Sequence, residues 1–366
     1  MEKVRVGELT KIRTGKLDAN AASEDGRYPF FTCSKETLRI QTYSYDCECV
    51  LIAGNGELNV KYYNGKFDAY QRTYIIEENG SNRLYMPYLY YFMEGYIEEL
   101  RNQSIGGVIK YIKLGNLTEA LIELPDINRQ KEIVNVLEKT AKIIEAKYEQ
   151  ISRMENLIKY KFVEMFGDPV QNPKGWGKKS LLNMGNCKNG MNFRYQDSGV
   201  EINCLGVGDF KDLTLINNVE ELPKVSLNKM PSEDYLLKDG DIVFVRSNGN
   251  KALVGRSLAV YPGNVLTTFS GFCIRYRKTD AAISVPYLLR VLKTDSMRQK
   301  MVGRGANIQN LNQKILGTLE IPVPPIALQN QFAAFVHQVD QLKSKTQKSL
   351  DKTQLLFNSL MQQYFG

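Results

Sequence analysis

Histidine is almost missing from this chain: His337 is the only one in 366 residues. A Ser-His-Asp triad, a Cys-His pair or a histidine-based metal site each needs an imidazole in a cleft. His337 falls inside a long amphipathic pattern, so it reads as a plain helical residue, and no metal site is expected. Long apolar runs are missing too. None approaches the ~18 residues that cross a bilayer, and no membrane contact is expected. Residues 1–10 alternate charge with valine around no apolar core, so no signal peptide is expected. Cys-x-x-Cys pairs are absent. The six cysteines (Cys33, Cys47, Cys49, Cys187, Cys204, Cys273) read as reduced thiols of a cytosolic protein rather than a disulfide framework.

What is present is ordinary globular material. Hydrophobic residues make up 43% and charged residues 24%, which excludes disorder and a rod-like coil over the whole length. The length points to two or three domains. The charge is unevenly spread. Residues 1–168 carry 23 Lys and Arg against 25 Asp and Glu, whereas residues 169–366 carry 25 against 15. The basic half suits a polyanionic partner, though it also fits a merely basic soluble surface.

The chain is written twice. Shifted by 199 positions, it aligns with itself without gaps from Ala69 to Gly167. Pro87-Tyr88-Leu89 falls on Pro286-Tyr287-Leu288, Gly106 on Gly305, Ile109 on Ile308, Pro125 on Pro324, Gln130 on Gln329, and Phe166-Gly167 on Phe365-Gly366. Earlier segments match at smaller shifts, as loops of different length require: Val50 to Gly56 resembles Val243 to Gly249.

Each copy has two parts. Residues 1–124 and 169–323 are rich in β-branched and aromatic runs punctuated by Gly, Asn and Asp, such as Tyr74-Ile75-Ile76 and Phe272-Cys273-Ile274-Arg275-Tyr276. These read as mostly β domains with a few helices, the clearest at 86–100 and 285–301, each opened by its proline. Residues 125–168 and 324–366 read as one long helix each. Ile133, Leu137, Thr140, Ile144, Lys147, Ile151, Met154, Ile158 and Lys161 step by four and three, the spacing of a coiled-coil seam. The second copy keeps the phase through Phe332, Val336, Val339, Lys343, Thr346, Leu350, Thr353, Phe357 and Leu360. An apolar seam wants a partner, and the other copy supplies one. The expected fold is α+β: two similar mostly-β domains, each followed by a long helix, with the two helices pairing as an antiparallel coiled coil.

Several pieces carry a resemblance. A Pro-x-x-x-x-Gln motif opens each helix, as Pro125-Asp126-Ile127-Asn128-Arg129-Gln130 and within Pro324-Pro325-Ile326-Ala327-Leu328-Gln329. Leu237-Lys238-Asp239-Gly240-Asp241-Ile242-Val243 precedes a strand, and Gly305-Ala306-Asn307-Ile308 leads to Leu316 and Ile321-Pro322-Val323-Pro324. Over its whole length the chain resembles the specificity (S) subunit of type I restriction-modification systems. The resemblance implies two target recognition domains that each read one half of a split double-stranded DNA sequence. It implies helices that space them and dock methyltransferase subunits, two per chain, and restriction or translocase subunits where DNA is also cut. It implies no catalysis in this chain, with S-adenosylmethionine held by the partner methyltransferase.

The residues agree with a non-enzyme. No phosphate loop occurs, and Asn172-Pro173-Lys174-Gly175 is not the Asn-Pro-Pro-Tyr type of tetrapeptide that amino-methyltransferases use. Gly206-Val207-Gly208 is a lone turn. For DNA contact the candidates are polar and basic residues in loops near strand ends, because arginine pairs with guanine, asparagine and glutamine with adenine, and lysine with phosphate. In the second half these are Arg246, Asn248, Asn250, Lys251, Arg256, Arg298, Lys300, Arg304 and Gln309; in the first, Asn55, Asn59, Arg72, Arg101 and Gln103. Tyr43, Tyr45, Tyr62 and Tyr63 are candidates to line a groove. A scaffold using two β domains for protein ligands is the alternative, separable by salt-sensitive DNA binding.

Overall fold

The computed structural model describes residues 2–193, 197–210, 213–302 and 310–366. They form two compact units, one of Met1–Gln150 with Thr346–Gly366 and the other of Ile151–Lys345.

The first unit runs through β1 (Lys3–Arg5), α1 (Val6–Leu9), β2 (Thr10–Thr14), β3 (Tyr28–Phe31), β4 (Leu38–Ile40), β5 (Tyr45–Ala53), β6 (Val60–Ala69), β7 (Thr73–Glu78), α2 (Met86–Gln103), α3 (Leu114–Thr118) and β8 (Leu121–Glu123) into α4 (Ile127–Phe166). Its main sheet has the order β2-β7-β5-β6-β3-β4. Side chains alternate across a strand, and here both faces are buried. Val50 and Ile52 of β5 face a core shared with Tyr88, Leu89 and Met93 of α2 and Ile133, Val134 and Leu137 of α4. Cys49 and Leu51 point the other way, to Phe31, Tyr45 and Phe67. Tyr45 therefore belongs to a core rather than a groove: it is 4% exposed, and its ring stacks on Phe67 at 5.3 Å.

The second unit takes over within α4 and continues through β9 (Lys178–Ser180), β10 (Gly185–Asn189), β11 (Val200–Leu205), β12 (Leu215–Ile216), β13 (Lys224–Leu227), β14 (Asp241–Val245), β15 (Ser257–Val260), β16 (Thr267–Phe269) and β17 (Cys273–Lys278). Then come α5 (Val285–Leu292), α6 (Asp295–Val302), α7 (Gln313–Gly317), β18 (Glu320–Pro322) and α8 (Ile326–Phe365). Its larger sheets have the orders β10-β17-β14-β15-β12 and β13-β11-β16, and β18 pairs with β9. Ile242 and Phe244 face α5 and α6, while Val243 and Val245 face Leu258 and Phe269. The single helix expected at 285–301 is two. Thr294 breaks it: its Oγ1 donates to the carbonyl of Val291 at 2.8 Å and accepts from Met297 N at 3.4 Å. A threonine side chain thereby replaces backbone partners at the join.

The repeat is visible in the element boundaries. α2 and α5 begin at Met86 and Val285, α3 and α7 at Leu114 and Gln313, β8 and β18 at Leu121 and Glu320, and α4 and α8 at Ile127 and Ile326, each pair 199 positions apart. Hydrogen bonds repeat too. Gln130 is fully buried; its Oε1 accepts from Tyr85 N at 2.8 Å and its Nε2 donates to the carbonyls of Arg83 at 2.9 Å and Pro125 at 2.8 Å. Gln329 does the same with Ser284 N, Ala282 O and Pro324 O, at 2.8, 2.9 and 2.8 Å. The glutamine of each Pro-x-x-x-x-Gln motif thus locks the start of a long helix to the loop ahead of α2 or α5. Tyr88 and Tyr287 hydroxyls donate to Glu123 O and Pro322 O, at 2.9 and 3.0 Å.

Within each unit the long helices run antiparallel. In the second, Phe332 near the start of α8 meets Phe162 and Phe166 at 5.5 and 5.6 Å, while Lys343, further along α8, reaches back to Glu155 at 2.7 Å. In the first, Lys147 donates to Ser349 at 2.7 Å, and Phe357 and Leu360 pack on the cluster holding Ile133 and Leu137. Ile158, Val339 and Leu350 are buried; Ile144, Ile151 and Val336 are half-buried. Burying a large apolar side chain contributes about 1.5–3 kcal/mol, so α4 is held more strongly by Ile133, Leu137, Ile158 and Phe162, all buried, than by the stretch around Ile144 and Ile151.

Candidate nucleic-acid interface

In the second unit, β14 ends at Val245 and the chain turns out into the 246–256 loop. Arg246 N donates to Phe272 O at 2.7 Å, and its own carbonyl accepts from Leu311 N at 2.8 Å. Its Nη1 donates to Gly271 O at 3.2 Å. Asn248 Oδ1 accepts from Asn250 N at 2.7 Å, and Asn250 Oδ1 from Ala252 N at 3.0 Å. Two successive Asx turns therefore shape the tip. Arg298 of α6 closes the loop from beneath, with its Nη2 donating to Ala252 O and Val254 O at 3.0 and 3.1 Å. So the 246–256 loop, α6 and the strand-like contact of Ser247 with Asn310 come together.

This geometry separates the candidate residues. Arg246 is half-buried at the root of the loop; Asn250, at its tip, and Lys300, on α6, are exposed. Asn248 and Asn250 use their carbonyl oxygens on the loop itself, so a two-bond reading of adenine needs the second lone pair of each. Arg298 is a clamp and not an outward-facing reader. Arg256 is half-buried and lines a cavity behind the loop. Lys251 opens a 3-10 turn, Lys251–Leu253; its side chain, and Arg304 and Gln309, lie outside the described residues. Phe272, expected in a strand, stands in the turn before β17 and is 62% exposed beside Arg246. The signal for it was the Gly271 that precedes it.

The first unit repeats the frame, one position off the match expected from sequence: the bonds put Gly54 where the second unit has Arg246, and Asn55 where it has Ser247. Gly54 N donates to Arg72 O at 2.8 Å, Ile112 N to Gly54 O at 2.9 Å, and Asn55 bridges Tyr111. Arg72 is exposed and Asn55 half-buried at this tip. The other candidates are engaged locally. Asn59 Nδ2 donates to Cys33 O and Glu57 O at 2.9 and 3.0 Å. Arg101 pairs with Glu98. Gln103 Nε2 donates to Glu99 at 2.7 Å, and its Oε1 accepts from Asn116 at 3.1 Å. Tyr43 is exposed, with the Lys66 ammonium 4.7 Å over its ring; Tyr62 donates to Glu48 at 2.7 Å, and Tyr63 packs on Phe31 at 5.2 Å. Burial pushes the half-buried Cys187 thiol and the buried Cys204 and Cys273 thiols up to about 12, which disfavours the reactive thiolate. No helix among the described residues is long and apolar enough to cross a membrane.

The long helices also present apolar side chains to solvent. Val136 and Ile143 on α4 and Leu355 and Leu356 on α8 are exposed in the first unit, and Leu157 and Tyr160 on α4 and Leu342 on α8 in the second.

The family model described as the type I restriction modification DNA specificity domain matches residues 1–153 and 173–352, and the chain belongs to that family. It is 26% identical to the specificity subunit of type I restriction enzyme EcoDI from Escherichia coli, covering 98% of this chain and 85% of that one. It is 22% identical to the MjaVIII specificity subunit of Methanocaldococcus jannaschii, over 98% and 91% of the two chains. Among solved structures, the S subunit of a type I restriction-modification system from M. genitalium has the same fold, with a TM-score of 0.64 at 17% identity over 100% and 96% of the chains.

Proposed function

We propose that this chain is the non-catalytic DNA-reading subunit of a type I restriction-modification complex, with each unit reading one half of a bipartite target. The observation that carries the reading is the duplicated loop frame, in which Gly54 and Arg246 are held by equivalent bonds to Ile112 and Leu311. Two similar readers in one chain suit two unlike half-sites, since each copy is free to diverge. The basic second half favours phosphate contact there. The exposed apolar residues on α4 and α8, present in both units, suit the docking of two methyltransferase subunits. A solved chain described in terms of complex assembly and conformational transition of the type I R-M system has the same fold, with a TM-score of 0.59 at 16% identity, which supports an assembling role. S-adenosylmethionine belongs to the partner in this reading.

The test is reconstitution. The purified chain alone is expected to transfer no methyl group and cut no DNA. With methyltransferase subunits and S-adenosylmethionine, adenine methylation at a split sequence is expected. Methyl transfer by the pure chain, or a complex that methylates without it, overturns the assignment.

A further inference from the structure

A cavity of about 700 Å³ lies in the second unit, between α5, β15, the later part of α4 and the first turns of α8. That volume is in the range of small-molecule sites. Its lining is strongly charged. Six cations, Lys159, Arg256, Arg290, Lys293, Arg298 and Lys343, line it with two carboxylates, Glu155 and Asp340, and a third carboxylate, Asp295, acts on Arg290 and Arg298 from beside it. Lys343 pairs with Glu155 at 2.7 Å, and Arg298 holds the carbonyls of Ala252 and Val254. Among the described residues, two buried polar atoms on the lining have no hydrogen-bond partner: the Nε of Arg290 and the Oγ of Ser257, a residue only 3% exposed. Lys159 is exposed and Arg290 and Lys293 are half-buried, so water screens this excess of like charge only in part and an added anion would relieve it.

The first unit shows that the repeat does not require this arrangement. At the 199-position offset, Arg290 corresponds to Tyr91, Lys293 to Glu94 and Lys343 to Ile144. Tyr91 is 8% exposed and packs beside Tyr90 and Phe357, at 5.1 and 6.4 Å. At these positions the first copy has a tyrosine packed among rings, a glutamate and an isoleucine, where the second has three cations on a cavity.

We propose that this cavity binds a small organic anion, its apolar body against Leu215, Leu289 and Val336 and its phosphate, sulfonate or carboxylate group met by Arg290, Lys293 and Ser257. The Lys293 ammonium supports a site that lacks its counter-charge. Burial first, and the Arg290 guanidinium next, push it down to about 8. Glu155 acts in the opposite sense, Lys343 and Arg256 add to the repulsion, and Asp340, Lys159, His337, Tyr261 and Arg298 complete the charged or titratable lining. The Lys293 Nζ meanwhile donates to Leu213 O at 3.1 Å. A seated anion raises the ammonium back toward its ordinary range, so binding takes up a proton near pH 8 and weakens as pH rises further.

The probe is 8-anilinonaphthalene-1-sulfonate, with neutral N-phenyl-1-naphthylamine as its uncharged control, titrated into the full chain. The sulfonate is expected to bind at one site, about tenfold more weakly after Arg290→Gln with Lys293→Met, as loss of a charge-assisted bond implies. The neutral dye should be insensitive to the same changes. Calorimetry in two buffers of different ionisation enthalpy should show proton uptake that Lys293→Met removes. Because both cations are poorly solvated, the double variant should melt no lower than the unaltered chain; if it does, Arg290→Tyr, which copies the first unit, replaces it. Equal sulfonate binding by the variants overturns the proposal, as does no saturable binding below about 1 mM. Displacement of the dye by a short duplex DNA in equal stoichiometry also overturns it, by assigning these cations to DNA phosphates.

Discussion

Gln130 and Gln329 carry the same three hydrogen bonds at equivalent places, and both are fully buried. Replacing either with leucine keeps the bulk and removes all three bonds. A backbone N–H and two carbonyls then go without a partner, and leaving such groups buried costs more than the bonds contribute when made. Gln130→Leu and Gln329→Leu should each lower stability by about 2–4 kcal/mol, read as a shift of the denaturation midpoint. Neighbouring side chains cannot take over the role: Arg129 is exposed and paired with Glu132, and Lys131 is exposed beside the Tyr85 ring. An unshifted midpoint in both variants would mean that the motif's glutamine does not hold the helix start.

At the scale of elements, the long helices were legible because their seam repeats in phase. The observed starts, Ile127 and Ile326, keep the 199-position offset. What could not be read was decided by side-chain to backbone bonds. Thr294 splits α5 from α6, Asn248 and Asn250 turn their oxygens onto their own loop, and Arg298 clamps that loop. Residue type marks these side chains as polar, but only the fold says which polar atom is already engaged. The cavity was invisible for the same reason, since its cations come from distant segments. Two predictions belong here. Ile133 and Leu360 lie in one cluster, so cysteines at those positions should crosslink within a single chain; crosslinks only between chains would contradict antiparallel packing in the first unit. Ile143 is 49% exposed and Leu342 52%. Ile143→Glu and Leu342→Glu should leave the melting temperature unchanged but weaken methyltransferase capture about tenfold each, as expected for an apolar anchor removed from an interface. Unchanged capture by both variants would place docking elsewhere.

For the whole molecule, the proposed function raises the question of how two copies with different charge would share one DNA. Residues 169–366 hold the basic excess and residues 1–168 do not, so phosphate attraction should come mainly from the second copy. Removing one cation that neutralises a phosphate lowers the slope of log affinity against log salt by about one unit. Lys251→Ala should therefore weaken binding to all sequences alike and flatten that slope. Arg246 is held at the root of the loop by Gly271 O and by its backbone bonds to Phe272 and Leu311. A guanidinium fixed in that way reads position better than charge. Arg246→Ala should relax preference at one position of one half-site, by about 1–3 kcal/mol for a broken two-bond pair, and leave the salt slope nearly unchanged. Neither substitution should alter preference at the other half-site, because the equivalent frame there is built from Gly54, Asn55 and Ile112. Binding of both variants to a panel of half-site changes at two salt concentrations separates these outcomes. If both leave affinity and preference unchanged, the 246–256 loop is not the reading loop; if Arg246→Ala alters both half-sites together, the two copies do not read independently.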